Sequence, residues 1–384
     1  MSKPHSGVIG LFPALLQPAA LRARYGWYVG GWSPFNTLPP TEERYWPRDL
    51  WEGNGEVGKH IANKRFTLAG CDISFSRSVG WYTREGSLTW LRALHSFGWM
   101  RDVLAYKSGK PSAKVLRGFI WEWMACSDRL HAVASEPDVM GERLASWMRH
   151  GGVLHSGARN TFRRRFLQSA VSQALALRRM LRQEEGEYGI HAIKGLLFVS
   201  LCLPGCGIFY KETLRELHRY LANISHTAIP DGRLNPMDLH ETLRGLIEVY
   251  DVLRRHANRE DAKVADAVAH LAGLLHHVCH ADGGLILFHG STEGDSAAIG
   301  QTLDAAHALA IEVPTARQRL DQKPTPVTLM DQSGFARMEA GRTTVVVDVS
   351  VPPDNHHMDT YFSTLAFEMS HGTQRVITNC GAFF

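Results

Sequence analysis

From about residue 87 the apolar residues return at steps of three and four. Trp90, Leu91, Leu94, Phe97 and Met100 fall on one face, and Leu116, Phe119, Ile120 and Trp123 do likewise. That is the spacing of an amphipathic helix. The period continues near 139–150, 159–183, 190–203, 210–224, 237–256 and 262–280. In the last of these Val264, Val268, Leu271, Leu275 and Val278 make the stripe. Gly151-Gly152, Pro204-Gly205 and Pro230-Asp231-Gly232 stand between these segments as helix stops. About eight consecutive helices with short connections pack on their neighbours as antiparallel hairpins. A bundle, a solenoid and a closed toroid all satisfy that pattern.

The period changes after Asp282-Gly283-Gly284, where Leu285 to Phe288 form a short apolar run, and one more helical stretch covers about 298–310. A linker, Gln322-Lys323-Pro324-Thr325-Pro326, leads into β patterning. Phe335 to Met338, Thr343 to Val349, Tyr361 to Met369 and Gln374 to Thr378 read as strands, punctuated by Gly334, Gly341, Pro352-Pro353 and Gly372. So few strands do not close a sandwich. A β domain that stops partway is therefore expected, with Val345, Val347, Leu365 and Phe367 on an apolar face left partly bare. A complete small sheet packed on the helices is the alternative. Residues 1–85 are rich in Trp, Tyr, Pro and Gly with weak periodicity, which predicts an irregular wrapping segment with short helices or strands. The division is 1–85, a helical domain over 86–320, and a β domain over 321–384.

Composition narrows the function classes. Apolar content of 44% with 21% charged residues fits a folded chain rather than a disordered one. Lys and Arg number 42 against 38 Asp and Glu, a net charge of +4. A nucleic-acid binder carries a stronger basic excess or a basic stripe, so no nucleic-acid partner is expected. Arg163-Arg164-Arg165 reads as a solvated helix face. Cysteines at 71, 126, 202, 206, 279 and 380 contain no Cys-x-x-Cys pair, which excludes a zinc ribbon and a disulfide scaffold and leaves mostly buried thiols. The apolar stretch Val8 to Leu16 is broken by Pro13 and lacks a small-x-small cleavage site. No apolar run reaches the length of a membrane span. The cytoplasm is the expected compartment, with the periplasm as alternative.

Several stretches, taken in order, resemble the heparinase II/III-like polysaccharide lyases. They begin with Asp49-Leu50-Trp51-Glu52-Gly53-Asn54, Gly58 and Phe66-Thr67-Leu68-Ala69-Gly70. Leu94-His95-Ser96-Phe97-Gly98-Trp99 is similar to the family's Leu-His-x-Phe-x-Trp helix. Ala281 to Ser291 resembles the loop closing the helical part. Leu365-Ala366-Phe367-Glu368-Met369-Ser370 and Val376-Ile377-Thr378-Asn379-Cys380-Gly381 resemble the first long strands of the β domain. The resemblance implies a mainly α chain, an incomplete (α/α) toroid followed by a partial antiparallel β-sandwich. It further implies a lyase that cleaves an acidic, uronate-containing polysaccharide by β-elimination. The alternative is a non-catalytic or differently catalytic relative that binds a glycan or cell-envelope polymer.

Elimination needs a group that neutralises the uronate carboxylate, a base for the C5 proton and an acid for the leaving oxygen. The family draws these from an Asn or His and a Tyr on the helices and a His on the β domain. His191 matches the helix histidine, with Ile190 in place of the Asn. An ordinary first-turn residue is the other reading of His191. The segment Asn235-Pro236-Met237-Asp238-Leu239-His240, after Asp231-Gly232, holds no Tyr. Tyr361 stands where the β-domain His is expected, with His356 and His357 just before it. The catalytic candidates are thus His191, Tyr361 and His357. With the helix Tyr absent, little or no turnover of heparin-like substrates is expected.

No cofactor is expected. The family's structural zinc has its carboxylate replaced by Asn379, although His356, His357 and Asp359 have ligand chemistry. Arg149, His150 and Arg233 are candidate carboxylate contacts, with exposed surface positions as the other reading. Trp27, Trp32, Trp46 and Trp51 are candidates for a sugar-stacking wall. Trp99, Trp121, Trp123 and Trp147 lie on helices and are assigned to the core.

Overall fold

The computed structural model describes residues 45–76, 80–106, 110–126, 129–183, 188–203, 205–226, 234–312, 327–330, 334–350 and 364–381. The chain falls into two compact units, Met1–Thr213 and Leu214–Phe384.

In the first unit α1 (Gly55–Ala62) is followed by a hairpin of β1 (Arg65–Leu68) and β2 (Cys71–Ser74), then α2 (Leu88–Ser96), α3 (Met100–Tyr106) and α4 (Lys110–Ala125). Next come α5 (Pro137–Arg149), the short α6 (Gly151–His155), α7 (Asn160–Gln183) and α8 (Ile190–Cys202). The starts follow capping chemistry. The Asn54 side chain accepts from the amides of Glu56 and Val57, and Ser87 accepts from that of Trp90. The irregular N-terminal segment is tied to the helices. The Asn54 amide donates to Asp102 at 2.8 Å, and Gly58 lets α1 touch the α3 backbone, where a Cβ would meet Asp102 O.

Phe66, Trp81, Phe97, Trp99, Phe119, Trp123 and Trp147 form a continuous aromatic core with centroids 5–6 Å apart. Through it runs Arg143, fully buried. Its guanidinium donates to His95 O, Ala134 O and Gln173 Oε1 and lies 4.5 Å from the Trp123 ring. A buried cation persists only when its donors are met. Trp99, Trp123 and Trp147 are core as expected, although Trp99 lies in the turn between α2 and α3 rather than on a helix, and Trp121 needs a correction. Trp121 is 40% exposed and carries the Arg165 guanidinium 4.6 Å over its ring. It sits two residues from buried Trp123, on the opposite side of α4. The Arg163–Arg165 run is likewise more than a solvated face, because Arg163 also caps the α6 carbonyl of His155 at 2.7 Å.

The second unit begins within α9 (Tyr210–His226) and adds α10 (Pro236–His256), α11 (Ala262–His277) and α12 (Ser296–Glu312). An antiparallel sheet follows in sequential order, β3 (Val327–Met330), β4 (Phe335–Ala340), β5 (Thr343–Asp348), β6 (Phe367–His371) and β7 (Gln374–Ile377). Its first strand precedes those expected from the sequence.

The covered face of this sheet mixes buried apolar side chains, Phe335 and Val346, with hydrogen-bonded polar ones. Arg337 donates to the carbonyls of His277 and Cys279, His280 Nε2 pairs with Glu368 at 2.8 Å, and His289 Nε2 pairs with Asp348 at 2.9 Å. Buried polar groups survive because each is hydrogen-bonded. The opposite face aligns Met338, Val345, Met369 and Ile377 across four strands, with Val347 beside Phe367. There Phe367 is 43% exposed and Ile377 41%, and Leu365 just before β6 is 74% exposed. Val345 and Val347 are half-buried. The expectation of a partly bare apolar face holds for Leu365 and Phe367. The protein is therefore expected to enhance the fluorescence of a hydrophobic dye. Phe367→Lys with Ile377→Lys should remove most of that signal with little change in Tm, since exposed positions contribute little to stability. Unchanged dye binding in the double variant would contradict this assignment.

Among the described residues no helix is long and apolar enough to cross a membrane. Of the cysteines, four are buried, Cys71 is half-buried and Cys380 is exposed.

Candidate active site

The site around His191 is built by two glycines. Where α5 crosses α8, a Cβ on Gly141 would meet His191 O and come within 2.6 Å of Ala192 Cα. A Cβ on Gly195 would meet Gly141 O. Without side chains at these positions the two helix backbones touch. The contact brings the 138/142 face of α5 onto the first turn of α8, because residues four apart share a helix face.

Asp138 and Glu142 use that proximity differently. Gly189, which precedes α8, has no side chain to cap the helix. Asp138 supplies the cap from α5, accepting from the amides of Gly189 at 2.7 Å and Ala192 at 3.0 Å. Glu142 gathers cations. Its Oε2 accepts from Lys194 Nζ at 2.5 Å and lies 3.1 Å from His191 Nδ1. Its Oε1 accepts from Arg149 Nη2 at 2.7 Å and from Ser146 Oγ at 3.3 Å. The Lys194 and Arg149 side chains are almost fully buried, while that of His191 is 24% exposed. The imidazole and, at 18% exposure, the Glu142 carboxylate are the parts of this cluster that reach the surface.

The electrostatics follow from these contacts. Burial pushes the Glu142 carboxyl up, but Lys194, Arg149 and His191 together hold it well below the usual carboxylate range. It is therefore an acceptor only, and His191 Nδ1 must be the donor. For His191, burial and Lys194 push the imidazole down, yet Glu142 and Asp138 outweigh them and raise it above the ordinary value. Folding thus favours protonated His191. Its contribution to stability is fully present below the unfolded pKa and is lost as pH rises through the folded one.

The N-terminal segment packs beside the C-terminal end of α5 and on α6. Trp46 lies over Gly151 and Gly152 and meets the His155 ring edge-on at 5.1 Å. Asp49 accepts from Arg101 at 3.2 Å and stands 3.5 Å from His150 Nε2. Burial, outweighing Asp49, lowers His150 to about 4. Trp51 is 6% exposed, so its indole is packing rather than an open wall. Arg149 and His150 are buried, which corrects the reading of them as surface residues and adds Arg149 to the Glu142 cluster. Trp27, Trp32, Arg233, His356, His357, Asp359 and Tyr361 lie outside the described residues.

In the second unit, Asn379 donates through its backbone and side-chain nitrogens to Glu368 Oε1. That amide holds a carboxylate, and the position supplies no acid ligand for a metal. Among the described residues no group of three or more His, Cys, Asp or Glu side chains is arranged to hold a metal ion.

Residues 322–383 match the family described as heparinase II/III-like, C-terminal. The C-terminal segment is a heparinase II/III-like domain. The chain's fold is similar to that of a solved heparinase III, with a TM-score of 0.65 at 11% identity, over 97% of this chain and 65% of that one. It is also similar to a heparan sulfate lyase from Pedobacter heparinus, with a TM-score of 0.50 at 15% identity, over 95% of this chain and 61% of that one. A heparinase III gene product with methylated lysines gives 0.52 at 14% identity, over 96% and 65%. The chain spans less than two thirds of the length of these heparinase structures. No curated protein matches. At these identities the likeness carries the heparinase fold, a mainly helical part followed by an antiparallel β domain.

Sequence reasoning singled out His191 but not the Glu142 and Asp138 that contact its helix start. The available signal was weak: two acids four residues apart on one helix, and unexplained glycines in the middle of two apolar helices.

Proposed function

We propose that this chain is a lyase of the heparinase type, cleaving an acidic, uronate-containing polysaccharide by β-elimination. The observation that carries the reading is the His191–Glu142 pair: a partly exposed imidazole hydrogen-bonded to a half-buried carboxylate, on a heparinase fold. In the reaction a base removes the C5 proton and its electron pair forms the C4–C5 double bond. The C4–O bond breaks, and the leaving oxygen takes a proton. His191 presents Nε2 to the sugar, either as the donor that neutralises the carboxylate or as the proton carrier. Lys194 and Arg149 balance the Glu142 and Asp138 carboxylates, so a protonated His191 supplies the positive charge that favours an anionic substrate. Tyr361 and His357 remain the candidates for the second proton transfer, Arg233 for a carboxylate contact, and Trp46 for a sugar contact.

A second reading, glycan binding without turnover, draws on Ile190 at the family's Asn position and on the absence of Tyr from 235–240. A panel of uronate polymers and neutral glycans separates the two. The lyase reading expects ultraviolet absorbance from an unsaturated uronate with at least one acidic polymer and none with neutral glycans. Tight binding of an acidic polymer with no unsaturated product would favour the second reading.

A further inference from the structure

The Glu142 carboxylate accepts four hydrogen bonds, two at each oxygen, from Ser146, Arg149, His191 and Lys194. We propose that Glu142 is the positioning residue of His191: it fixes the imidazole with Nδ1–H inward and Nε2 outward, and competes with Lys194 for control of the proton on Nε2. The catalytic consequence rests on the lyase reading, whereas the positioning itself does not.

The geometry makes three points. First, Nδ1 faces an oxygen that can only accept, so the neutral imidazole is held as the Nδ1–H tautomer with its lone pair on Nε2. Among the described residues nothing bonds Nε2. Second, Lys194 shares the same carboxylate oxygen as His191, one turn along α8. A cation there opposes the proton on His191 while the carboxylate favours it. Third, Arg149 holds the other oxygen, so the carboxylate cannot rotate away to serve Lys194 alone. The groups facing His191 are Glu142 and Asp138 from α5 and Lys194 from α8, with Arg149 reaching the shared carboxylate. The raised protonation of His191 is the net result. No bond is made or broken by Glu142; its action on the substrate passes through the imidazole.

The test follows the His191 imidazole proton by NMR through a pH titration of the full 384-residue chain, the signal being assigned by its loss in His191→Gln. Glu142→Gln should move the midpoint to lower pH, and Glu142→Asp should restore part of the shift. Lys194→Met, close in volume and lacking the charge, should move the midpoint to higher pH. A purely structural role would lower Tm in both variants without moving the midpoints in opposite directions. Midpoints that do not move, or that move the same way, overturn the proposal. If Glu142→Gln does not fold, Lys194→Met decides alone: a rise supports the proposal and any other result overturns it. In the lyase assay the acidic or basic limb of the kcat profile should shift with each midpoint, and Glu142→Gln should lose about 10²-fold in kcat. Should neither the wild type nor any variant turn over any polymer, the lyase reading fails, and the titration midpoints still decide whether Glu142 positions His191.

Discussion

Gly195→Ala is expected to destabilise the protein by about 3 kcal/mol and to abolish whatever chemistry His191 performs. The added methyl would enter the backbone of Gly141, 2.5 Å from its Cα, so the neighbour cannot yield by a side-chain rotation. The α5–α8 pair must separate, and the 3.1 Å contact between Glu142 and His191 lengthens with it. Gly141→Ala should do the same from the opposite helix, against His191 O. Gly118→Ala is the control, because Gly118 lies in α4 with open space around it. There the better helix propensity of alanine should add roughly 0.5–1 kcal/mol. Thermal unfolding of the three variants checks the contrast, and a Gly195→Ala protein as stable as Gly118→Ala would refute the close contact between the helices.

The second large effect is acid lability. Burial, reinforced by Arg143, lowers His95 to about 3, and its Nδ1 is occupied by the Trp123 indole N–H at 3.2 Å. Burial likewise lowers His150 to about 4. Both are therefore neutral in the fold at pH values where the unfolded chain binds their protons. Stability from these groups is complete above the ordinary histidine pKa of about 6.5 and is lost as pH falls through the folded values. Between about pH 6.5 and about pH 4 the combined loss is on the order of 5 kcal/mol, a large part of a typical folding free energy. His191 acts in the opposite sense, since its pKa is raised; its contribution is already complete below about pH 6.5, so it does not offset the loss in this window. His150→Gln should flatten the fall of Tm with pH. A wild-type Tm that holds steady over this range would contradict the assignment of His95 and His150 as buried neutral groups.

The helices were legible because their apolar stripes are long and regular. Trp90, Leu91 and Leu94 and the Val264–Leu275 series are buried as the period requires. The sheet was legible in part. The alternation in Thr343–Asp348 gave β5, but not which face is covered, since Thr344 and Asp348 are buried while Val345 and Val347 are not. Polarity alone misleads there, because the buried face is satisfied by partners such as His289, 59 residues away. The same limit governs the site. His191 stood out through its resemblance to a family motif, whereas Glu142 matters only because two glycines bring α5 against α8 across a separation of 49 residues. Trp121 and Trp123 show it on a small scale. Two steps along one helix take an indole from the exterior to full burial.

If the His191 imidazole, held by Glu142, takes part in β-elimination on an acidic polysaccharide, its removal must cost turnover. The most direct measurement is the ultraviolet absorbance of the unsaturated uronate product, followed for the full chain and for His191→Ala on the best polymer of the panel. Slow product formation is expected from the wild type, consistent with the absent Tyr. The variant is expected to lose about 10²–10⁴-fold, the range for removing one general acid or base. Equal product formation by the two proteins would contradict a role for His191 in the elimination.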